Sequence, residues 1–125
     1  MTKILIAEDE KDIRDLVVFS LTYGGFEVVS ASNGLEAIAE AEAESPDLIL
    51  MDVRMPKMSG YEACEQLKLS AATRDIPIVF LSAKGQEAEI KKGLKVGAVE
   101  YILKPFAPDE LVKRVQEILR RMGRG

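Results

Sequence analysis

The chain has 125 residues and the apolar content of an ordinary globular protein, which fits one domain and leaves no run long enough for a membrane span. It has no histidine and a single cysteine, which excludes Ser-His-Asp and Cys-His catalysis, an internal disulfide and the usual zinc sites. The net charge of -4 disfavours general nucleic-acid binding, but residues 1–90 carry -9 and residues 91–125 carry +5. This asymmetry indicates either different faces for different partners or simply charged helix surfaces.

Four short apolar runs are typical of strands buried on both faces of a parallel sheet, and each ends at a polar residue. The run 4–7 ends before Glu8 and Asp9, 48–51 before Asp52, 78–81 before Ser82, and 101–103 before Lys104. A weaker strand is predicted at residues 26–29. Because the chain enters its first strand directly after Lys3, we expect no signal peptide and a cytoplasmic protein.

A helix is predicted after each strand from apolar residues at helical spacing. These residues are Ile13, Leu16, Val17 and Leu21, then Leu35, Ile38 and Ala41, then Tyr61, Cys64 and Leu67, then Ile90 and Leu94, and finally Leu111, Val112, Val115, Ile118, Leu119 and Met122. Asn33 and Glu36 predict a capping box at the second helix. The fifth helix is expected to begin at Pro108, which leaves Ala107 as an N-cap without a side-chain oxygen.

The alternation of strands and helices predicts an α/β fold, a (βα)5 unit with a doubly wound parallel five-stranded sheet. The flavodoxin-like strand order 2-1-3-4-5 places the first and third strands at the switch point, so Glu8 and Asp9 should lie beside Asp52. Since parallel strands end at one edge of the sheet, Ser82 and Lys104 should join them there.

Carboxylates packed together repel each other, so this cluster needs a cation or raised pKa values. Mg2+ suits a few carboxylates plus water, with Mn2+ as the alternative ion, and Lys104 would balance the remaining charge. One carboxylate could then attack phosphorus while Ser82 donates a hydrogen bond to a phosphoryl oxygen. Taken singly, each residue is an ordinary turn, cap or exposed side chain, but four strand ends with compatible groups favour a phosphoryl-transfer site.

Four motifs in order resemble those of response-regulator receiver domains over essentially the whole chain. They are the segments 6–10, 50–56 with Gly60, 81–83 and 101–106. The resemblance implies a phosphorylation-activated switch of a two-component system, in which Asp52 accepts a phosphoryl group from a histidine kinase or phosphotransfer protein. It implies no enzyme beyond the domain's own phosphorylation and dephosphorylation.

Further roles follow from the same resemblance. Asp9, Asp52 and the backbone carbonyl of Arg54 would bind Mg2+, with Glu8 assisting through water. Lys104 would contact the phosphoryl group, and its peptide bond to Pro105 would be cis.

Ser82 and Tyr101 would form the switch and alter the face of the fourth helix, fifth strand and fifth helix. Arg54 and Lys84 would flank the approach of the hydrolytic water, which predicts slow dephosphorylation because neither orients water well.

The output face carries the basic excess and is expected to bind an acidic or amphipathic partner through Lys91, Lys92, Lys95 and Arg114. We expect residues 1–122 to form the receiver domain and 123–125 a tail or the start of a truncated linker. Glu100, Glu110 and Arg114 resemble the dimer face of the winged-helix subclass, but Ile90 replaces its usual basic residue. We therefore expect an unphosphorylated monomer, with dimerisation on phosphorylation as the alternative, and no direct contact with nucleic acid or membrane.

The main alternative is a Mg-dependent phosphohydrolase with an aspartate nucleophile. That class places an acid two residues after the nucleophile, where this chain has Arg54, and uses a cap domain that this chain lacks. A flavin or nucleotide binder is disfavoured because Glu8, Asp9 and Glu10 would repel phosphate. A receiver that signals without phosphorylation is disfavoured because each expected site residue is present.

Overall fold

The computed structural model describes residues 1–83 and 87–123, in which five strands and five helices alternate along the chain. The strands are β1 (Lys3–Ala7), β2 (Glu27–Ala31), β3 (Leu48–Asp52), β4 (Ile78–Ser82) and β5 (Glu100–Leu103). The helices are α1 (Lys11–Tyr23), α2 (Gly34–Glu44), α3 (Gly60–Leu69), α4 (Glu87–Lys95) and α5 (Pro108–Arg121).

The strands form one parallel sheet in the order β2-β1-β3-β4-β5, which confirms the predicted fold. The registers pair Ala7 with Met51 and Asp52 with Leu81, so the carboxyl ends of β1, β3 and β4 lie side by side. The polar residues that follow these strands therefore share one edge of the sheet. Among the helices of the described residues, none is long and apolar enough to cross a membrane.

Alternate strand residues face two separate apolar cores. Leu5, Ile49 and Phe80 face α2 and α3, whose alanines allow these helices to approach the sheet closely. The next residue along each strand faces α1 and α5 on the opposite side. Both faces of the three central strands are thus covered, which explains their continuous apolar runs.

The helix starts differ in detail from the sequence prediction. Asn33 caps α2 by accepting a hydrogen bond from the Glu36 N–H, as expected, but the Glu36 carboxylate accepts from the N–H and hydroxyl of Ser32 rather than from the Asn33 N–H. The reciprocal capping box occurs instead at α3, between Ser59 and Glu62.

The predicted apolar stripes are partly exposed on several helices: Leu16 of α1 is 46% exposed, Leu35 of α2 is 50% exposed, and α4 shows the same feature. The Leu94 side chain is 47% exposed, and Gly93 beside it is the buried position. A Cβ on Gly93 would lie 2.9 Å from the Phe80 ring and 3.2 Å from the Tyr101 ring. α4 therefore approaches the sheet closely at a glycine, which the spacing of apolar residues does not reveal.

Candidate functional site

Five side chains meet where the strands end. Asp52 is the last residue of β3 and Ser82 the last of β4, while Glu8 and Asp9 follow β1 and Lys104 follows β5. Carboxylate oxygens of Glu8, Asp9 and Asp52 lie within 4.8 Å of one another. Glu8, Asp52 and Ser82 are buried, whereas Asp9 is exposed at the mouth of the site.

Lys104 bridges two of these carboxylates. Its ammonium lies 2.6 Å from Glu8 Oε1 and 3.5 Å from Asp52 Oδ1. Its backbone N–H donates to the carbonyl oxygen of Ser82 at 2.8 Å, and its peptide bond to Pro105 is cis. The backbone and the charge of Lys104 thus join β5 to the ends of β3 and β4.

Burial and crowding shift the ionisation of the carboxylates in different directions. Burial, and then repulsion from Glu8, raises the pKa of Asp52 to about 7, with Lys104 opposing the shift. Burial would also raise the pKa of Glu8, but hydrogen bonds from Lys104 and the Glu10 N–H outweigh it and the pKa is lowered. Desolvation and the neighbouring Glu8 raise the pKa of Asp9. The ammonium of Lys104 therefore pairs mainly with Glu8, and the negative charge of an ionised Asp52 is only partly compensated.

This donor set fits a hard divalent cation. Lys104 contacts only two of the three carboxylates, so a bound cation would reduce the repulsion that raises the pKa of Asp52. Oxygen ligands with an open side toward solvent match Mg2+, which retains several waters. The residues present therefore fit the Mg2+ expected from the sequence.

The backbone around Asp52 requires a glycine at the start of α3. A Cβ on Gly60 would lie 2.2 Å from the carbonyl oxygen of Asp52, and the Gly60 N–H donates to the Val53 carbonyl at 2.8 Å. A larger residue would displace the end of β3, so Gly60 sets the position of Asp52.

A cleft of about 660 Å³ runs from the carboxylates toward α4. Asp9, Arg54 and Ser82 line one part of it, and Tyr61, Glu89 and Lys92 line the part nearer α4. Arg54 thus lines the same cleft as Asp9 and Ser82, whereas Lys84 lies outside the described residues.

Tyr101 belongs to an aromatic cluster beneath α4. Its ring centroid lies 6.3 Å from that of Phe80, which in turn meets the Tyr61 ring edge-on at 5.1 Å. The Tyr61 hydroxyl donates to the Glu89 carboxylate at 2.9 Å. The sequence predicts Tyr61 only as part of the apolar stripe of the third helix, because no local pattern reveals its contact with a residue 28 positions away.

Comparison with known proteins now places the chain. The family model described as "Response regulator receiver domain" matches residues 4–116. The chain belongs to this family.

A curated relative, the phosphate regulon transcriptional regulatory protein PhoB of Pseudomonas aeruginosa, is 46% identical over 122 residues, which cover 98% of this chain and 53% of PhoB. The chemotaxis protein CheY4 of Vibrio cholerae superposes with a TM-score of 0.91 at 34% identity, covering 95% of this chain and 99% of CheY4. The receiver domain of a Pseudomonas aeruginosa sensor histidine kinase, solved with magnesium in its active site cleft, gives a TM-score of 0.86 at 30% identity and covers 98% of each chain.

The chain spans about half the length of the curated relatives it matches. It is a receiver domain of the two-component type, a signalling switch rather than a conventional enzyme, with an acidic cluster able to hold a metal. The phosphohydrolase alternative is not favoured by these comparisons.

Proposed function

We propose that Asp52 is the phosphoacceptor and takes its phosphoryl group from a sensor histidine kinase or a phosphotransfer protein. The observation that carries this proposal is the convergence of three carboxylates within 4.8 Å, with Lys104 3.5 Å from Asp52. Receiver-family membership supports the assignment.

Asp9, Asp52 and the backbone carbonyl of Arg54 would hold Mg2+, with Glu8 assisting through water. Bound there, the ion would neutralise charge on the phosphoryl oxygens. The magnesium in the cleft of the related kinase receiver supports this choice of ion, and Mn2+ has the same preference for oxygen ligands.

In the transfer step, an ionised Asp52 oxygen forms a bond to phosphorus as the phosphorus–nitrogen bond of the donor phosphohistidine breaks. The bonding electron pair leaves with the imidazole nitrogen. Lys104 stabilises the negative oxygens of the phosphoryl group as a compact positive charge, and Ser82 donates its hydroxyl to one of them. A divalent cation bound beside Asp52 would offset the repulsion that raises its pKa and would favour the ionised carboxylate that attacks.

The output would use the α4-β5-α5 face. A phosphoryl group brings close to two negative charges, toward which Ser82 can move, and Tyr101 can occupy the space that Ser82 leaves. Lys92 lies over the Tyr61 ring at 4.7 Å, and Arg114 lies 3.7 Å from Glu100. Lys91 and Lys95 lie at exposed positions of α4, where an acidic or amphipathic partner would meet them.

We further propose that residues 1–122 act as a cytoplasmic receiver that is monomeric when unphosphorylated and does not itself bind nucleic acid. Residues 123–125 would be a tail or the start of a linker to an effector. Size-exclusion chromatography coupled to light scattering, with and without phosphorylation, tests the monomer.

Small acyl or amido phosphates test the phosphoacceptor directly. In Mg2+ they should label the wild-type protein once, and Asp52→Asn should abolish the label because an amide is not a nucleophile here. Asp12→Asn, which changes an exposed carboxylate on α1, is the matched control and should label normally. Mass spectrometry measures occupancy, and equal labelling of another residue in Asp52→Asn would contradict the assignment. Turnover of a small phosphate ester would instead support the phosphohydrolase.

The lifetime of the phosphoryl group is expected to depend on Arg54 and Lys84. Long cationic side chains there would pair with its oxygens and hinder the in-line water, and a barrier change of about 1.4 kcal/mol is tenfold in rate. Arg54→Asn combined with Lys84→Glu should therefore accelerate decay of the phosphorylated protein. An unchanged or slower decay would show that these residues do not protect the phosphoryl group.

A further inference from the structure

Three residues connect α3 and α4 across the cleft beside Asp52. The Tyr61 hydroxyl donates to Glu89 Oε2 at 2.9 Å, and its oxygen also lies 3.2 Å from the Glu89 backbone carbonyl. The ammonium of Lys92 lies 4.7 Å above the Tyr61 ring, within range of a cation–π contact. Tyr61 is 7% exposed and its ring is wedged against Phe80, so the hydroxyl is held in place.

These residues line the cleft that also contains Asp9, Arg54 and Ser82. The Tyr61 hydrogen bond therefore keeps a fixed negative charge on the wall of the space in which a phosphoryl group would lie. Like charges that face one cleft repel, and partial burial weakens the screening by salt. Lys92, on the same helix face, has the opposite charge.

We propose that Tyr61 is a positioning residue that holds the Glu89 carboxylate at the phosphorylation cleft, where it opposes occupancy of Asp52 by a phosphoryl group. The inference rests on the proposed function of Asp52 and adds a residue outside the strand-end motifs that affects occupancy of Asp52 by a phosphoryl group. The positive charge of Lys92 partly neutralises the Glu89 carboxylate on the same wall of the cleft and so weakens this repulsion.

The hydrogen bond also links this charge to the switch. Glu89 lies one helical turn before Gly93, whose backbone contacts the Phe80 and Tyr101 rings. When a phosphoryl group repels Glu89, the Tyr61 bond is strained and α4 is loosened at its contact with Tyr101. The charge at position 89 therefore couples occupancy of Asp52 to the position of α4.

Binding of beryllofluoride, a phosphoryl mimic, in the presence of Mg2+ tests the proposal by NMR titration of the full chain. Glu89→Gln keeps a hydrogen-bond acceptor but removes the charge, and should tighten binding roughly threefold to tenfold at low salt. The gain should shrink in high salt because the interaction is electrostatic. Tyr61→Phe removes only the hydroxyl and should tighten binding by a smaller factor.

The double variant should bind no more tightly than Glu89→Gln, since Tyr61 acts through the charge that is already removed. Glu65→Gln, which neutralises an exposed α3 carboxylate outside the cleft, is the matched control and should leave affinity unchanged.

Unchanged or weaker binding by Glu89→Gln would overturn the inference while leaving the proposed function intact. Failure of wild type to bind beryllofluoride, or equal binding by Asp52→Asn, would overturn the proposed function instead. If Tyr61→Phe does not fold, Glu89→Gln and its salt dependence decide the question.

Discussion

The helices α5 and α4 are held to the sheet by different kinds of contact. α5 buries four large side chains, Leu111, Val115, Ile118 and Leu119, in the core it shares with α1. On α4 the buried position among the described residues is Gly93, and the rest of its attachment includes the hydrogen bond between Tyr61 and Glu89.

Because of this difference, we regard α5 as the anchored helix and α4 as the movable helix. Buried apolar area stabilises α5 without depending on one geometry, at about 25 cal/mol per Å². A helix attached through a glycine backbone and a few directional contacts can shift when one side chain beneath it moves. We infer that phosphorylation acts on α4 while α5 keeps its position.

The largest expected effect compares leucines on the two helices. Leu119→Ala removes a side chain that is 1% exposed and should lower the free energy of unfolding by about 2–5 kcal/mol through lost burial and a cavity. Leu94→Ala on α4, where the side chain is 47% exposed, should cost about 0.5 kcal/mol or less. Urea unfolding measures both, and equal losses would remove the distinction between anchor and movable helix.

A second effect concerns charge in the switch region. The folded state raises the pKa of Asp52 from its ordinary value of 3.8 to about 7, so between these pH values it binds more protons than the unfolded chain. The stability contributed by protonated Asp52 is therefore present below pH 3.8 and lost as pH rises through 7.

Asparagine does not ionise, so Asp52→Asn avoids the stability that wild type loses when Asp52 becomes charged. At pH 8 without Mg2+ the variant should be more stable than wild type by on the order of 2 kcal/mol. The difference should diminish toward pH 4. Thermal unfolding across this pH range in a chelator measures it, and a variant that is less stable than wild type at pH 8 would contradict the buried charge repulsion.

The smallest expected effect concerns the N-cap of α5. Ala107 has extended backbone angles at the N-cap of α5 but offers no side-chain acceptor. Ala107→Ser adds no charge. The serine hydroxyl oxygen should accept a hydrogen bond from a backbone N–H in the first turn of α5, which raises the free energy of unfolding by about 1 kcal/mol. A thermal melt measures the gain, and its absence would show that solvent already satisfies these N–H groups.

Much of the fold could be predicted because its signals are local. Apolar runs such as 48–51 fit strands buried on both faces, and the strand order followed from the doubly wound topology. The same reasoning predicted that Glu8, Asp9 and Asp52 would meet, since parallel strands end at a common edge.

The contacts of α4 could not be predicted in the same way. Leu94 was expected in the core because it fits helical spacing, but the helix turns Gly93 toward the sheet and leaves Leu94 exposed. The hydrogen bond between Tyr61 and Glu89 joins residues 28 positions apart on two helices separated by β4, so neither hydrophobic periodicity nor capping rules reveal it. Such contacts depend on the packed geometry rather than on local preference.

The most direct test of the account is an NMR comparison of the full chain with and without Mg2+ and beryllofluoride. We expect the largest changes in backbone chemical shifts at Asp52, Ser82 and Tyr101 and along α4, and small changes along the buried face of α5. Asp52→Asn should show none of them. Changes confined to α1 and α2 would show that occupancy of Asp52 is not transmitted through α4.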